Sequence, residues 1–409
     1  MKPKINIVMV GHVDHGKSTL IGRLLYDTKS IKPGKLKEIE QTAKKLGKKM
    51  EFAFILDSLQ EEREGGITID TTQIPFETEK YRYNIIDAPG HREFIKNMLS
   101  GASNAEAGVV LVSAKSNEGV QEQTRRHVFL LKLFGVKQIF FAVNKMDTVD
   151  YSKKRFEEIK DKTMVFLNSF GYGENLHFVP ISARCGENII NKSKEMEWYT
   201  GLPLVRLLDE KIKPKTNPLE KPLRIPVQLV QERGGEKIIM GRVESGSLKA
   251  GDDVIFKPSG IKGKIKKIEE KEKAVPGDSV GFRLTDNLDV KRGDVCGLKN
   301  RPPSAYTEFT SKIFILSERG VQTGDVLDFR CNTSLVKGKI ISMLKRIDSE
   351  TGEIIEDNPK KLHLNDAGVL KVKLSSPMVL EKFEDIPELG RLMIENKGGV
   401  VAAGIISEF

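Results

Sequence analysis

The chain is 409 residues long, 39% hydrophobic, 30% charged and 7% aromatic, with 36 glycines and 17 prolines. Such a length supports roughly two to three domains with cores of their own and excludes a disulfide-stapled miniprotein, while the composition excludes collagenous, fibrous and disordered chains. Lysine and arginine number 67 against 57 aspartates and glutamates, a formal charge of +10 that is compatible with an anionic partner but does not require one.

The three cysteines, Cys185, Cys296 and Cys331, lie far apart and fit no Cys-x-x-Cys or zinc-ligand spacing, which predicts a reducing, cytoplasmic setting. The apolar run Ile5 to Val10 has a strand's length, too short for a signal core or a membrane span. No later run approaches about 18 apolar residues, so a membrane role is not expected.

Strand-length apolar runs at Ile5 to Val10, Tyr83 to Ile86, Gly108 to Val112, Ile139 to Val143 and Phe178 to Ile181 alternate with helical patterns. Those patterns fall at Lys17 to Tyr26, Glu93 to Leu99, Glu122 to Phe134, Lys154 to Phe170 and Leu202 to Lys211. The rhythm predicts an α/β domain over residues 1–212, built on a mostly parallel sheet. Leu20, Ile21, Leu24 and Leu25 recur three and four apart and mark the buried face of the first helix. The connection from Asp27 to Asp70 is longer than an ordinary loop and points to function.

Residues 213–222 hold Pro214, Pro218 and Pro222 and read as a linker. Beyond it, short alternating segments are broken by turns such as Gly251-Asp252, Pro276-Gly277-Asp278, Gly293-Asp294 and Gly324-Asp325. This predicts antiparallel β-barrels over 223–300 and 301–409, divided near Asn300-Arg301-Pro302-Pro303. Lysines at 257, 262, 264, 266, 267, 271 and 273 are interleaved with Glu269, Glu270 and Glu272, the pattern of a solvated face of mixed charge.

Gly11-His12-Val13-Asp14-His15-Gly16-Lys17-Ser18-Thr19 fits G-x-x-x-x-G-K-S between a strand and a helix, the context of a phosphate-binding loop. Its glycines let the backbone curl around a β-phosphate, its N–H groups and the helix start face the anion, and Lys17 reaches the β- and γ-oxygens. Ser18 is expected as a magnesium ligand, joined by Thr68 of Ile67-Thr68-Ile69 and, through water, by Asp87 of Asp87-Ala88-Pro89-Gly90-His91. The Gly90 amide would sense the γ-phosphate, and His91 would position the attacking water.

Asn144-Lys145-Met146-Asp147 follows the strand Ile139 to Val143 and predicts guanine over adenine, because the Asp147 carboxylate accepts from both N1–H and the 2-amino group. Asn144 would tie the base to the phosphate loop, and the Lys145 stem would cover one ring face. Ser182-Ala183-Arg184 would bring the Ala183 amide near the guanine oxygen. GTP, GDP and magnesium ion are thus the expected cofactors of a GTPase.

Taken together, Gly11 to Thr19, Glu61 to Asp70, Asp87 to His91 and Asn144 to Asp147 resemble the translational GTPase family, the group of elongation factor Tu and elongation factor one-alpha. The resemblance implies an α/β P-loop GTPase domain followed by two antiparallel β-barrel domains, slow hydrolysis stimulated by a partner, and a GTP-on, GDP-off switch. In this sequence Gly65 stands where elongation factors usually carry arginine before Gly-Ile-Thr.

Within the family, Phe52 to Gln60, Gln123 to His127, Asn188 to Gly201 and Leu284 to Asp289 look like the GTPase subunit of two-subunit sulfate adenylyltransferase. That likeness implies coupling of GTP hydrolysis to adenylyl-sulfate synthesis in a partner catalytic subunit. The alternative it leaves is delivery of aminoacyl-tRNA, or a related decoding role, at the ribosome.

Overall fold

The computed structural model describes residues 2–31, 33–45, 52–56, 73–87, 105–170, 172, 176–214 and 218–409. The expected helix Glu93 to Leu99 and the candidate residues Thr68, Gly90 and His91 lie outside them. The chain divides into two compact units, Met1–Lys215 with Ser349–Gly352, and Thr216–Asp348 with Glu353–Phe409.

The first unit is an α/β layer. Its strands are β1 (Lys4–Gly11), β2 (Gln73–Glu77), β3 (Arg82–Asp87), β4 (Ala107–Ser113), β5 (Gln138–Asn144) and β6 (Leu176–Pro180), in the order β2-β3-β1-β4-β5-β6. Only β2 runs antiparallel to its neighbour. β4 is buried at all seven positions, as a parallel strand covered on both faces must be, and its sequence AGVVLVS is correspondingly apolar.

Helices among the described residues include α1 (Lys17–Asp27), α2 (Pro33–Lys45), α3 (Glu122–Leu133), α4 (Lys153–Ser169) and α5 (Leu204–Lys211). α1 buries Leu20, Ile21, Leu24 and Leu25 together with Gly22. A Cβ on Gly22 would sit 1.8 Å from the Phe52 carbonyl oxygen, so only glycine lets the 52–56 segment approach the helix. Ser152 caps α4: its hydroxyl accepts from the Arg155 amide and satisfies one of the donors left open at a helix start.

Because five of the strands are parallel, their carboxyl ends share one edge of the sheet. Gly11 lies opposite Leu111, Met9 opposite Asp87, and Ser113 opposite Asn144. Ser182 follows two residues beyond β6.

The second unit contains two antiparallel barrels. The first is closed, in the order Asp253–Lys257, Lys262–Ile268, Ser279–Leu284, Glu236–Arg242, Ile225–Arg233, Val295–Leu298. It encloses Ile225, Val227, Ile239, Phe256 and Phe282. The second runs Val326–Cys331, Arg391–Asn396, Gly399–Glu408, Ala305–Ile315, Ala367–Val379, Ser334–Ile347, with Ile354–Asp357 added beside the last of these, and closes by pairing Ser334–Ile347 with Val326–Cys331. Phe309, Phe329, Ile340, Leu370 and Ile394 fill it.

Gly251, Gly277 and Gly324 have φ of 88°, 93° and 95°, with open space where a Cβ would stand. The left-handed backbone of these turns, and not close packing, is what calls for glycine there. On the first barrel Lys266 pairs with Glu236 at 2.5 Å and Lys267 with Glu269 at 3.3 Å, so acidic neighbours hold part of the lysine run. Arg224 spans both barrels: its Nε donates to Glu381 at 2.6 Å, and its terminal nitrogens donate to the carbonyls of Arg301 at 3.0 Å and Pro302 at 3.2 Å.

Candidate nucleotide site

The loop from Gly11 to Thr19 springs from the end of β1 and turns into α1. Asp14 and Gly16 both lie in the left-handed region, at φ of 67° and 88°, which curls the backbone back on itself. A Cβ on Gly16 would stand 2.4 Å from Asn144 Nδ2. Lys17, Ser18 and Thr19 form the first turn of α1, which has neither a side-chain cap nor an acidic residue. The positive dipole end of α1 is thus not offset by an acidic side chain in its first turn, which suits an anion. Val13 is exposed at the mouth of the loop.

His15 is fully buried and its Nδ1 lies 3.2 Å from the Leu111 carbonyl of β4. Burial pushes its pKa below the ordinary histidine value and the nearby His12 adds to this, against the opposing hydrogen bond to Leu111. A neutral ring that donates from Nδ1 fits that environment. The His12 ring packs edge-on at 5.3 Å.

Asn144 closes β5 and connects three segments. Its Nδ2 donates to the His15 carbonyl at 2.9 Å, and its Oδ1 accepts from the Ala183 amide at 2.9 Å. Lys145 is left-handed at φ 65° and opens the short helix Met146–Val149. Asp147 Oδ1 accepts from the Ser182 hydroxyl at 2.6 Å, and the same hydroxyl oxygen accepts from the Cys185 amide at 3.1 Å. The Arg184 carbonyl accepts from Arg23 of α1 at 3.4 Å. Thus the phosphate loop, Asn144 to Asp147 and Ser182 to Arg184 meet at one sheet edge. Asp87 ends β3 in register with Met9, two residues before Gly11.

Sequence spacing did not single out Leu111, Glu118 or Arg155. Leu111 contributes a carbonyl, which no side-chain pattern marks. Glu118 lies 3.1 Å from Lys145 Nζ, and Arg155 donates from α4 to three carbonyls of the loop that carries Glu118.

Residues 2–214 match the model of the elongation factor Tu GTP binding domain, residues 236–297 match elongation factor Tu domain 2, and residues 308–407 match the GTP-eEF1A C-terminal domain-like family. Elongation factor 1-alpha of Sulfurisphaera tokodaii is 45% identical over 99% of this chain and 97% of its own length. The chain belongs to the elongation factor Tu and 1-alpha family. Elongation factor 1-alpha of Methanocaldococcus jannaschii is 43% identical over 99% of this chain and 97% of its own length, and that of Aeropyrum pernix 43% over 100% and 97%. This member of the family is a P-loop GTPase that takes GTP and GDP.

The expectation of a sulfate adenylyltransferase subunit, with its catalytic-subunit partner and its place in sulfate assimilation, is corrected by these full-length relatives. The stretches that carried it owe much of their character to packing. Thr124 and His127 are buried on α3. Asn188 donates to the Pro180 carbonyl and accepts from the Ser193 amide. Met196 is buried, and Trp198 donates to the Tyr151 carbonyl at 2.9 Å while packing on Phe156. Leu284 faces the first barrel's core. Residues fixed by a shared scaffold do not identify a partner.

Among the described residues no helix is long and apolar enough to cross a membrane.

Proposed function

We propose that this chain is a translation elongation factor of the 1-alpha kind, which carries aminoacyl-tRNA to the ribosome in its GTP form and releases it after hydrolysis. The observation that supports this most is the identity of 43–45% to elongation factors 1-alpha across all three segments of the chain. A cytoplasmic setting goes with that role. The division into a GTP-binding domain 1–212, a linker 213–222 and barrels 223–300 and 301–409 belongs to the same reading.

In this reading the loop amides of residues 11–19 and Lys17 hold the phosphates, and an α1 start without a side-chain cap or an acidic residue supports it. Asp147 reads N1–H and the 2-amino group of guanine, Lys145 covers a ring face, and Ser182, Ala183 and Arg184 form the rim beside the base. Gly90 contacts the γ-phosphate and His91 orients the attacking water.

The hydroxyls of Ser18 and Thr68 and, through water, the carboxylate of Asp87 suit a magnesium ion, because all are hard oxygen donors. Ser18 opens the helix that follows β1, and Asp87 ends the neighbouring strand β3, which supports that assignment. When bound, the ion neutralises charge on the β- and γ-phosphates. His91 positioning is completed in the activated complex, so hydrolysis alone is slow.

The test is protection of an aminoacyl-tRNA ester from spontaneous hydrolysis by the purified protein. Protection with GTP and not with GDP supports the reading. Equal protection with both nucleotides, or none, overturns it.

A further inference from the structure

A lysine that covers a base must be held in place, because its four-carbon stem loses much rotamer freedom on ordering. In this chain the hold comes from the protein's own side chains. Lys145 Nζ stands 3.1 Å from Glu118 Oε2, and both side chains are largely shielded, at 25% and 19% exposure. The other carboxylate oxygen of Glu118 lies 3.5 Å from Lys115 Nζ. Ser113, the last residue of β4, hydrogen-bonds to the same carboxylate.

The loop that carries Glu118 is itself fixed. Arg155 of α4 donates Nε to the Ala114 carbonyl at 2.9 Å, and Nη2 to the carbonyls of Lys115 at 3.1 Å and Glu118 at 3.2 Å. Gly119 follows at φ 127°, a backbone conformation that L side chains rarely adopt. Burial raises the Glu118 carboxyl, but the bonds from Ser113 and Lys145 outweigh it and hold the group down at about 2. It is a permanent anion at any physiological pH.

We infer that Glu118 is a positioning residue for guanine-nucleotide binding: it fixes the Lys145 side chain across the base side of the pocket, and Arg155 fixes Glu118. The inference rests on the proposed role of Lys145 at the guanine ring. Glu118 acts through the Lys145 side chain, so its effect is expected on nucleotide affinity and not on the hydrolytic step.

The test measures GDP dissociation constants and single-turnover hydrolysis of bound GTP for wild type, Glu118→Gln, Lys145→Met and the double variant. Glu118→Gln is expected to weaken GDP about tenfold, the scale of a charge-assisted bond, with the hydrolysis rate of bound GTP within about twofold. In the Lys145→Met background the same change is expected to cost less than about twofold, since its target is gone. Lys115→Gln, which removes the other cation on that carboxylate, is expected to leave GDP binding within about twofold.

Should Glu118→Gln not fold, Glu118→Asp keeps the charge but draws it back by one methylene, and the same ordering is expected of it at a smaller size. An undiminished loss in the Lys145→Met background, or a hydrolysis rate that falls in step with affinity, overturns the inference. A wild-type protein with no preference for GDP over ADP overturns the reading beneath it. A guanine-selective wild type whose Glu118 variants bind GDP normally overturns this inference alone.

Discussion

Asn144 donates its side-chain Nδ2 to the carbonyl of His15 at 2.9 Å, in a contact buried from solvent. A residue at the end of β5 thereby sets the shape of a loop that grows from β1, with β4 between them in the sheet. The Asn144 Oδ1 is committed to the Ala183 amide, so the Gly11 to Thr19 loop, the end of β5 and the Ser182 to Arg184 segment share one side chain. Asn144→Ala would strand a buried carbonyl and a buried N–H, at about 1–3 kcal/mol each. The expected outcome is a lower melting temperature without nucleotide and GDP affinity reduced at least about a hundredfold. Thermal unfolding and GDP titration check it, and a variant equal to wild type in both would refute the coupling.

Asp147 Oδ1 accepts from the Ser182 hydroxyl at 2.6 Å. Replacing Asp147 by Asn places a donor where the guanine 2-amino group needs an acceptor, while xanthine offers an oxygen at that position. We expect Asp147→Asn to lose about a thousandfold in GDP affinity and to gain for XDP, as sites built on paired hydrogen bonds reject the mismatched ligand strongly. Competition between labelled GDP and XDP measures the exchange. Retained GDP preference would remove Asp147 from the base site.

Gly16→Ala sets two costs in one atom. The backbone there is at φ 88°, and the new Cβ would stand 2.4 Å from Asn144 Nδ2. A left-handed L residue costs about 1–2 kcal/mol before the clash is counted. The clash pushes on the Asn144 amide that holds His15, so the variant should lose GDP binding and unfold at lower temperature. Calorimetric titration with GDP and a melting curve test this. Normal binding would show that the loop tolerates a side chain facing Asn144.

Much of this site is legible in the sequence because its chemistry is local. The run Gly11 to Thr19 carries its own glycines, lysine and hydroxyls between a strand and a helix, and the Gly-Asp turns announce the barrels. What escapes is what depends on register or on buried neighbours. β2 (QIPFE) is missed because it has five residues and a proline, and Pro75 is tolerated only because β2 is an edge strand. The last strand of the sheet spans Leu176–Pro180, where Phe178 to Ile181 is expected, yet the Ile181 amide still donates to the Val143 carbonyl at 2.8 Å. Glu118 has no periodic signal, since its meaning comes from a lysine 27 positions away. The partner was misread for the opposite reason: His127, Asn188 and Met196 look distinctive in sequence but are buried, and scaffolds retain such residues whatever binds outside.

Glu244, between the barrels, carries a carboxyl raised to about 7. Burial is the main cause and Glu388 adds to it, while Arg242, the hydrogen bond from Asn332 and Arg391 pull the other way. The unfolded chain has an ordinary glutamate near 4.5. A folded-state pKa above the unfolded one means that the folded form binds the proton more tightly. Its stabilising contribution is therefore complete below pH 4.5, declines as the pH rises through about 7, and is gone above it. Glu244→Gln keeps the shape without the charge, so it should melt close to wild type at about pH 5 and above wild type at about pH 8.5, by an amount on the order of 2–3 kcal/mol. Melting curves of both proteins across that range provide the check. A difference that does not grow with pH would mean that Glu244 is ionised without penalty in the folded protein.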